Sequence, residues 1–246
     1  MNKTVLITGG SRGIGKSIAI SFAKIGYNVV VTSRSKNESS DDFIKNIESY
    51  GVKCLMIFCD FTEKNSVELL FNEFDKEFTN LDVLINNAGW TKYIKHEKID
   101  ELNEELFENI INVNLKSAFF CSKMAIQRMN GDNNCIINIS SIAGFTGLGS
   151  NIIYCASKAG LISFTKSFAR AFGDKVRVNS VAPGLTETNM TQSGPKIYKE
   201  NEIKNTPMKK IAVPNDISDV VISLVTEMKF INGQTIIVDG GRFLNY

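Results

Sequence analysis

The chain has 246 residues, of which 43% are hydrophobic, and a formal net charge of +2. It can bury the core of one domain, and so small a net charge gives no strong attraction to nucleic acid or membrane surfaces. No stretch resembles a signal peptide or a long apolar span, and the five cysteines are odd in number and lack CxxC spacing, so we expect a reduced, cytoplasmic protein. The single histidine has no second ligand at a suitable spacing, so no metal site is expected.

Strands and helices alternate along the sequence. Apolar runs that are continuous rather than alternating predict buried parallel strands at about 3–8, 28–33, 53–59, 81–86, 134–140, 175–181 and 234–239. Helices are predicted at about 13–25, 40–50, 63–78, 102–129, 152–172 and 215–228. This order predicts an α/β fold: a doubly wound, Rossmann-type, seven-stranded parallel sheet with helices on both faces, in a single domain spanning 1–246. Ligands of such sheets bind beyond the carboxyl ends of the strands.

A glycine-rich turn lies between the first strand and the first helix. Glycines at 9, 13 and 15 permit close backbone approach, and the helix N-terminus that follows offers free N–H groups to an anion. Their spacing differs from the commoner G-x-G-x-x-G fingerprint. The turn therefore predicts a phosphate site, although a glycine-rich turn alone is a weak signal.

A tyrosine and a lysine one helical turn apart carry the chemical prediction. Tyr154 and Lys158 project from the same face of the predicted helix, with Ser141 thirteen positions before the tyrosine and Asn114 upstream. Tyrosine has an ordinary pKa of about 10, and a nearby cation favours the phenolate. The pair suits a general acid and base, but Tyr-x-x-x-Lys also arises by chance in helices, so the context has to decide.

Further short motifs follow in a consistent order along the chain: Asp60 after the third strand, Asn86-Asn87-Ala88-Gly89, Asn112-Val113-Asn114, Ser140-Ser141, Pro183-Gly184 and Asp239-Gly240-Gly241. Together with the glycine-rich turn and the tyrosine–lysine pair, they cover essentially the whole length. On these motifs the chain resembles the short-chain dehydrogenase/reductase family, of the small, single-domain type. The resemblance implies transfer of hydride between a nicotinamide and a carbonyl or secondary alcohol.

The resemblance also implies roles for the four residues. Tyr154 would donate a proton to a carbonyl oxygen or accept one in the reverse direction, and Ser141 would hydrogen-bond the same oxygen, with Ser140 as the competing choice. Lys158 would bind the nicotinamide ribose and lower the tyrosine pKa, assisted by the positive charge of the oxidised ring. Asn114 would hold a water that links Lys158 to solvent.

The end of the second strand bears on the choice of cofactor. An NAD site typically places a carboxylate there, whereas this strand ends in Ser33-Arg34-Ser35. Arg34, together with Arg12 from the glycine-rich turn, would hold a 2′-phosphate by charge-assisted bonds. We therefore expect NADP(H) rather than NAD(H); the alternative is that both arginines are solvated surface charges.

Other cofactor contacts are implied by the resemblance: Asp60 and Phe61 at the adenine, Asn87 to Gly89 at the adenosine ribose, with Val113 nearby, and Thr188 at the nicotinamide carboxamide with backbone from Thr186. The full predicted cofactor site comprises Gly9, Ser11, Arg12, Gly13, Ile14, Gly15, Ser33, Arg34, Asp60, Phe61, Asn87, Ala88, Gly89, Val113, Tyr154, Lys158, Pro183, Gly184, Thr186 and Thr188.

The substrate is less clear from the sequence. The pattern is most similar to 3-oxoacyl-(acyl carrier protein) reductases, which serve fatty acid biosynthesis and dock an acidic carrier protein through basic residues. Asp132 stands in the stretch where one of those basic residues is expected, while Lys175 keeps basic character in the second region. The alternative is a reductase of a small ketone, sugar or secondary alcohol, and a more distant one is a non-catalytic dinucleotide sensor.

Two further expectations concern the lid and the assembly. Residues 189–212 are polar and contain Gly194, Pro195 and Pro207, which predicts a mobile lid over the substrate. Relatives pair the helices at 102–129 and 152–172 in a four-helix bundle, so we expect a homotetramer.

Overall fold

Seven parallel strands form one sheet at the centre of the protein. The structure is a computed structural model that describes residues 2–36, 40–188, 191 and 196–245, without the side chains of 196, 198 and 245. The strands are β1 (Thr4–Ile7), β2 (Asn28–Ser33), β3 (Cys54–Phe58), β4 (Val83–Asn86), β5 (Cys135–Ile139), β6 (Arg177–Pro183) and β7 (Thr235–Val238). Their order is β3-β2-β1-β4-β5-β6-β7, and every neighbouring pair is parallel, which confirms the predicted sheet.

Helices cover both faces of the sheet. The described helices are α1 (Gly13–Lys24), α2 (Ser40–Glu48), α3 (Ser66–Glu77), α4 (Glu104–Ile111), α5 (Ser117–Ile126), α6 (Ala143–Thr146), α7 (Ile152–Phe172), α8 (Lys196–Asn205) and α9 (Pro214–Thr226). One core packs α1, α2 and α9 against the sheet, and a second packs α3, α5 and α7 against the opposite face. This is the doubly wound, single-domain arrangement that the alternating pattern predicts. No helix among residues 2–36, 40–188 and 196–245 is long and apolar enough to cross a membrane.

The predicted helix at 102–129 is interrupted. A π-helical turn, Asn112–Lys116, separates α4 from α5. Within this turn, the buried Asn114 side chain forms hydrogen bonds with the main chain of Trp90. That tertiary contact overrides the helical pattern of the sequence. The sequence pattern does not predict helices α6 and α8 either, because one has only four residues and the other has a polar sequence.

Buried amides tie the middle of the sheet to the helices that carry the predicted site. Asn86 of β4 lies opposite Asn138 of β5 and donates to its side-chain oxygen at 2.8 Å. Asn86 also donates to Ser122 of α5 at 3.0 Å, and Asn138 donates to Thr165 of α7 at 2.9 Å. Each such bond contributes about 1 kcal/mol. Together they fix α5 and α7 relative to β4 and β5.

Candidate active site

The predicted site residues lie at the carboxyl end of the parallel sheet, where the loops after successive strands meet. The ends of the first six strands each contribute a group: residues 9–15 after β1, Ser33 and Arg34 at the end of β2, Asp60 and Phe61 after β3, 87–89 after β4, Ser141 after β5 and 183–188 from the end of β6. Tyr154 and Lys158 come from α7, and Val113 and Asn114 from the π turn. The fold therefore brings the sequence-predicted residues to one edge of the sheet.

The glycine-rich turn is closely packed against its surroundings. Gly9 has a φ of +63°, and its N–H donates to Thr32 at 2.9 Å. A Cβ at Gly15 would lie 2.4 Å from the Gly9 carbonyl oxygen and 2.5 Å from the Asn87 side-chain nitrogen. Only glycine fits there, and the turn leads directly into the N-terminus of α1.

Thr8 and Asn87 lock this turn to the end of β4. The Thr8 hydroxyl accepts from the N–H groups of Asn87 and Ala88, each at 3.0 Å. In return, the Asn87 amide donates to the carbonyl oxygens of Thr8 and Gly9, each at 2.9 Å. The sequence predicts that Asn87 lines the adenosine ribose, but its amide hydrogens are used within the protein. Its first role in this structure is to shape the turn.

The end of β2 is followed by an arginine and has no carboxylate, as the sequence indicates. Ser11 donates to Ser33 at 3.3 Å, which joins the glycine-rich turn to the strand end. Arg12 and Arg34 are both exposed, and neither forms an ion pair with another described residue. Both guanidinium groups therefore leave positive charge exposed near this end of the sheet. The Asp60 carboxylate, after β3, accepts from the Thr62 N–H and hydroxyl at 2.9 and 2.8 Å.

Helix α7 is held at its start by an asparagine that sequence reasoning missed. Asn151 is fully buried and caps the helix: its side-chain oxygen accepts from the Tyr154 N–H at 2.8 Å. Its amide donates to Thr91 at 3.1 Å and to the Lys92 carbonyl at 2.7 Å. Asparagine is a preferred N-cap residue, so its place three residues before Tyr154 was the available signal.

Tyr154 and Ser141 form the proton-donating half of the site. The tyrosine is half-buried, and burial raises its pKa to about 12, while a hydrogen bond with Ser141 opposes that rise. The Ser141 hydroxyl also accepts from the Ala143 N–H at 3.1 Å, which orients it. Ser140, the competing choice, is 3% exposed and donates to the Val181 carbonyl within the sheet. At neutral pH the phenol is protonated and ready to donate.

Lys158 is buried beside the tyrosine. Its side chain is 4% exposed, and Nζ donates to the Ile139 carbonyl oxygen at 2.9 Å. Burial lowers the lysine pKa to about 8. Nζ lies 5.7 Å from the centre of the Tyr154 ring, and in the protein without cofactor, burial raises the pKa of the tyrosine rather than lowering it.

Asn114 lies behind Lys158, held by the π turn. Its side-chain oxygen accepts from the Trp90 N–H at 2.8 Å, and its amide donates to the Trp90 carbonyl and to Ser157, each at 3.1 Å. Ser157 in turn donates to the Tyr154 carbonyl at 2.7 Å. Both amide hydrogens of Asn114 are thus used by protein partners. Ser157, which the sequence analysis does not single out, connects the π turn to the helix of the tyrosine and lysine.

The turn after β6 faces the glycine-rich turn. A Cβ at Gly13 would lie 3.4 Å from the Thr188 γ-methyl, so the two turns approach each other across the cleft. Thr186 is buried and bridges to Ala212, and the Thr188 N–H donates to Thr191 at 2.9 Å. The predicted lid, 189–212, is described only at 191 and 196–212; residues 189–190 and 192–195 lie outside the described residues.

Comparisons with known proteins match this arrangement over the whole chain. A family model described as enoyl-(acyl carrier protein) reductase matches residues 9–242. The 3-oxoacyl-(acyl-carrier-protein) reductase FabG of Staphylococcus epidermidis is 35% identical, with 99% of this chain and 100% of that protein covered. The chain belongs to the short-chain dehydrogenase/reductase family.

Solved structures of this family have the same fold. A short-chain dehydrogenase from Burkholderia cenocepacia J2315 in complex with NADP has a TM-score of 0.90 at 29% identity, covering 98% of this chain and 97% of that one. The angucycline C-6 ketoreductase LanV with bound NADP has a TM-score of 0.89 at 30% identity, covering 98% and 96%. This short-chain dehydrogenase/reductase is therefore an oxidoreductase.

The residues present fit a nicotinamide dinucleotide. The glycine-rich turn, packed closely around Gly15, leads into the N-terminus of α1, whose free N–H groups suit a pyrophosphate. Within the described ranges, no group of three or more His, Cys, Asp or Glu side chains is placed to hold a metal ion. The described cysteines are free thiols, and four of the five are buried.

Burial of Lys158 should make the stability of this short-chain dehydrogenase/reductase depend on pH. The lysine pKa falls from 10.5 in the unfolded chain to about 8 in the folded protein, so the unfolded state binds more protons between those values. The contribution of Lys158 to stability is therefore unfavourable below pH 8 and recovers as pH rises towards 10.5. At about 1.4 kcal/mol per pKa unit, the recovery is about 3 kcal/mol.

Urea unfolding of the cofactor-free wild type and of Lys158→Met across this pH range measures the effect. The other titrating groups are present in both proteins, so the difference between the two curves reports on the lysine. The wild type should gain stability relative to the variant as pH rises. Parallel curves would show that Lys158 keeps its ordinary pKa.

Proposed function

We propose that this oxidoreductase reduces 3-oxoacyl thioesters with NADPH, with Tyr154 as the general acid. The observation that carries the proposal is the position of Tyr154 beside Ser141 and Lys158 at the carboxyl end of the sheet, in a chain that matches a 3-oxoacyl reductase over its full length. A phenol that is protonated at neutral pH has a proton to give in the direction of reduction.

In the proposed mechanism, the chain's own residues bind the substrate carbonyl and supply its proton. The Ser141 hydroxyl, oriented by the Ala143 N–H, donates to the carbonyl oxygen and fixes its position. Tyr154 transfers its phenolic proton to that oxygen as negative charge develops there. When bound, the nicotinamide supplies the hydride. Lys158, with a pKa of about 8, exchanges protons readily near neutral pH and stabilises the phenolate that remains.

Two arginines at the adenosine end support NADPH over NADH. Arg34 and Arg12 are exposed and unpaired within the described chain, and β2 ends without a carboxylate. Replacing both with alanine is expected to weaken NADPH binding about 30-fold, since a hydrogen bond to a charged group is worth about 1.5–3 kcal/mol. NADH has no 2′-phosphate and should bind as before. Fluorescence titration of both cofactors measures the change.

A cation on the same helix serves as the control. Lys16 is exposed on α1, one turn beyond Arg12, so Lys16→Ala removes a charge without touching the strand end. Its NADPH affinity should stay within about twofold of the wild type. Higher catalytic efficiency with NADH than with NADPH in the wild type would overturn the NADPH assignment.

A panel of substrates tests the reaction itself. Wild-type enzyme with NADPH is assayed against acetoacetyl thioesters of coenzyme A and acyl carrier protein, small ketones and sugars, with secondary alcohols in the reverse direction. Reduction of the thioesters, with the higher kcat/KM on the carrier-bound form, supports the proposal. Cofactor binding without turnover would favour a sensor instead.

Two observations favour reduction of a free ketone as the second candidate. Asp132 stands in the loop before β5, where the resemblance to carrier-docking reductases implies a basic residue. The solved structure of a C-6 ketoreductase is also 30% identical to this chain. Turnover of ketones without turnover of thioesters would select this candidate and leave the proposed mechanism unchanged.

The aromatic surface of α5 and α7 supports a homotetramer. Phe119 and Phe120 of α5 are 37% and 40% exposed, and Phe119 contacts Phe164 and Phe168 of α7 with ring centres 5.5 and 5.6 Å apart. Exposed aromatic clusters of this kind mark association surfaces. Analytical ultracentrifugation of the wild type is expected to give a tetramer. The variant Phe120→Glu, changed at the edge of this cluster, should sediment as smaller species. A stable wild-type monomer at micromolar concentration would contradict the proposal.

A further inference from the structure

A buried ion pair joins α8 to the end of the chain. Glu202 and Arg242 are each 8% exposed. The guanidinium donates from Nε to Oε2 at 3.1 Å and from Nη2 to Oε1 at 3.3 Å. In every other ion pair between described residues, at least one side chain is more than 40% exposed. Burying two charges is costly, so such a pair serves better to fix one arrangement than to add stability.

The arginine belongs to a C-terminal turn, residues 239–245, that is anchored on the strand end of the site. The Asp239 carboxylate accepts from the Gly241 N–H at 2.8 Å and the Phe243 N–H at 2.6 Å, which holds the turn in shape. Asp239 also packs against Gly184, where a Cβ would lie 2.8 Å from the Asp239 Cβ. The C-terminal turn is thus fixed to the loop that leads to Thr188.

The C-terminal turn also contacts the elements on either side of the cleft. The Phe243 ring lies 5.6 Å, centre to centre, from Phe145 of α6, the short helix that follows Ser141. On the other side, the Met208 N–H just beyond α8 donates to the Gly240 carbonyl at 3.2 Å. The turn therefore lies between the serine helix and α8.

We propose that the Glu202–Arg242 pair is a latch that holds α8 at the substrate end of the cleft and thereby sets the KM for the carbonyl substrate. This inference rests on the proposed function, since it assigns α8 to the substrate side of the site. Neither side chain reaches the tyrosine, so both are positioning residues. Most of the predicted cofactor contacts, at residues 9–15, 33–34, 60–61 and 87–89, come from the loops after β1 to β4 and do not touch the latch.

Four variants and a matched control test the latch by steady-state kinetics. Glu202→Ala and Arg242→Ala are each expected to raise KM for an acetoacetyl thioester, or for the best ketone of the panel, about tenfold. kcat and NADPH affinity should stay within about twofold. The double variant should be no worse than either single variant, and Arg242→Lys should restore part of the loss. The control variant is Asp75→Ala. It removes a similar ion pair, in which Arg128 donates two hydrogen bonds to Asp75 of α3, and its substrate KM should equal that of the wild type.

Hydrogen exchange of α8 provides a readout that needs no turnover. Amides of 196–205 should exchange faster in Glu202→Ala than in the wild type, while those of α7 should not. Unchanged exchange in α8, or faster exchange without a change in KM, would overturn the latch. An equal loss of NADPH affinity would also overturn it, because the effect would then be global. If the wild type turned over nothing in the panel, the proposed function would fail, whereas exchange would still decide whether the pair holds α8.

Discussion

Tyr154→Phe is expected to lower kcat about 1000-fold, within the range for loss of a general acid, while NADPH affinity stays within about twofold of the wild type. The phenol donates the proton in the proposed mechanism, and its pKa of about 12 keeps it protonated at neutral pH. Phenylalanine keeps the ring that packs against the cleft and removes only the donor. Stopped-flow measurement of NADPH oxidation, together with fluorescence titration, separates the chemical step from binding.

Tyr27→Phe is the matched control. Tyr27 is also half-buried, and its ring packs on Phe22 with centres 5.0 Å apart, but it lies next to β2 away from the catalytic residues. Loss of its hydroxyl should leave kcat unchanged. If Tyr154→Phe kept wild-type turnover, another group would have to supply the proton, and Tyr154 would not be the acid.

Gly15→Ala is expected to weaken cofactor binding about 100-fold, or about 2.7 kcal/mol, in the upper part of the range for forcing a group into a packed site. The added Cβ would lie 2.4 Å from the Gly9 carbonyl oxygen, so the glycine-rich turn must move. Its amides would then no longer converge on the phosphates. Titration with NADPH measures the affinity, and urea unfolding measures the accompanying change in stability.

Gly26→Ala separates this effect from general destabilisation. Gly26 has a φ of +84°, and a Cβ added there would have nothing within 4 Å, so alanine meets backbone strain without a clash. The variant should lose about 1 kcal/mol of stability and keep its NADPH affinity. A Gly15→Ala protein that bound NADPH as tightly as the wild type would show that the turn is not the phosphate cradle.

Much of the fold could be predicted because it depends on local hydropathy. Continuous apolar runs such as 28–33 and 134–140 mark strands that are buried on both faces, and all seven predicted strands are present in the sheet. The ends of those strands place Ser141 and the glycine-rich turn at one edge, and α7 carries Tyr154 to the same place. Sequence periodicity is sufficient wherever burial alone determines the structure.

Tertiary hydrogen bonds account for most of what could not be predicted. The π turn exists because Asn114 bonds the main chain of Trp90, which is 24 residues away. Asn151 could have been found as the N-cap residue of α7, whereas Ser157 accepts from Asn114, 43 positions earlier, in a contact that no residue pattern reveals. The partner of Arg242 lies 40 positions earlier in a polar segment, so its ion pair is visible only in three dimensions.

The π turn makes the catalytic geometry sensitive to the number of residues in the chain. Each residue of an α-helix turns the next side chain by about 100°. A π-helical turn accommodates one residue more than a regular helix would. Deleting a single residue within 112–116 would let α4 and α5 run on as one helix, with the hydrophobic face nearly intact, but would swing Asn114 away from Trp90. In this segment a one-residue gap between two related sequences is therefore a change of active site, even when every named catalytic residue is retained.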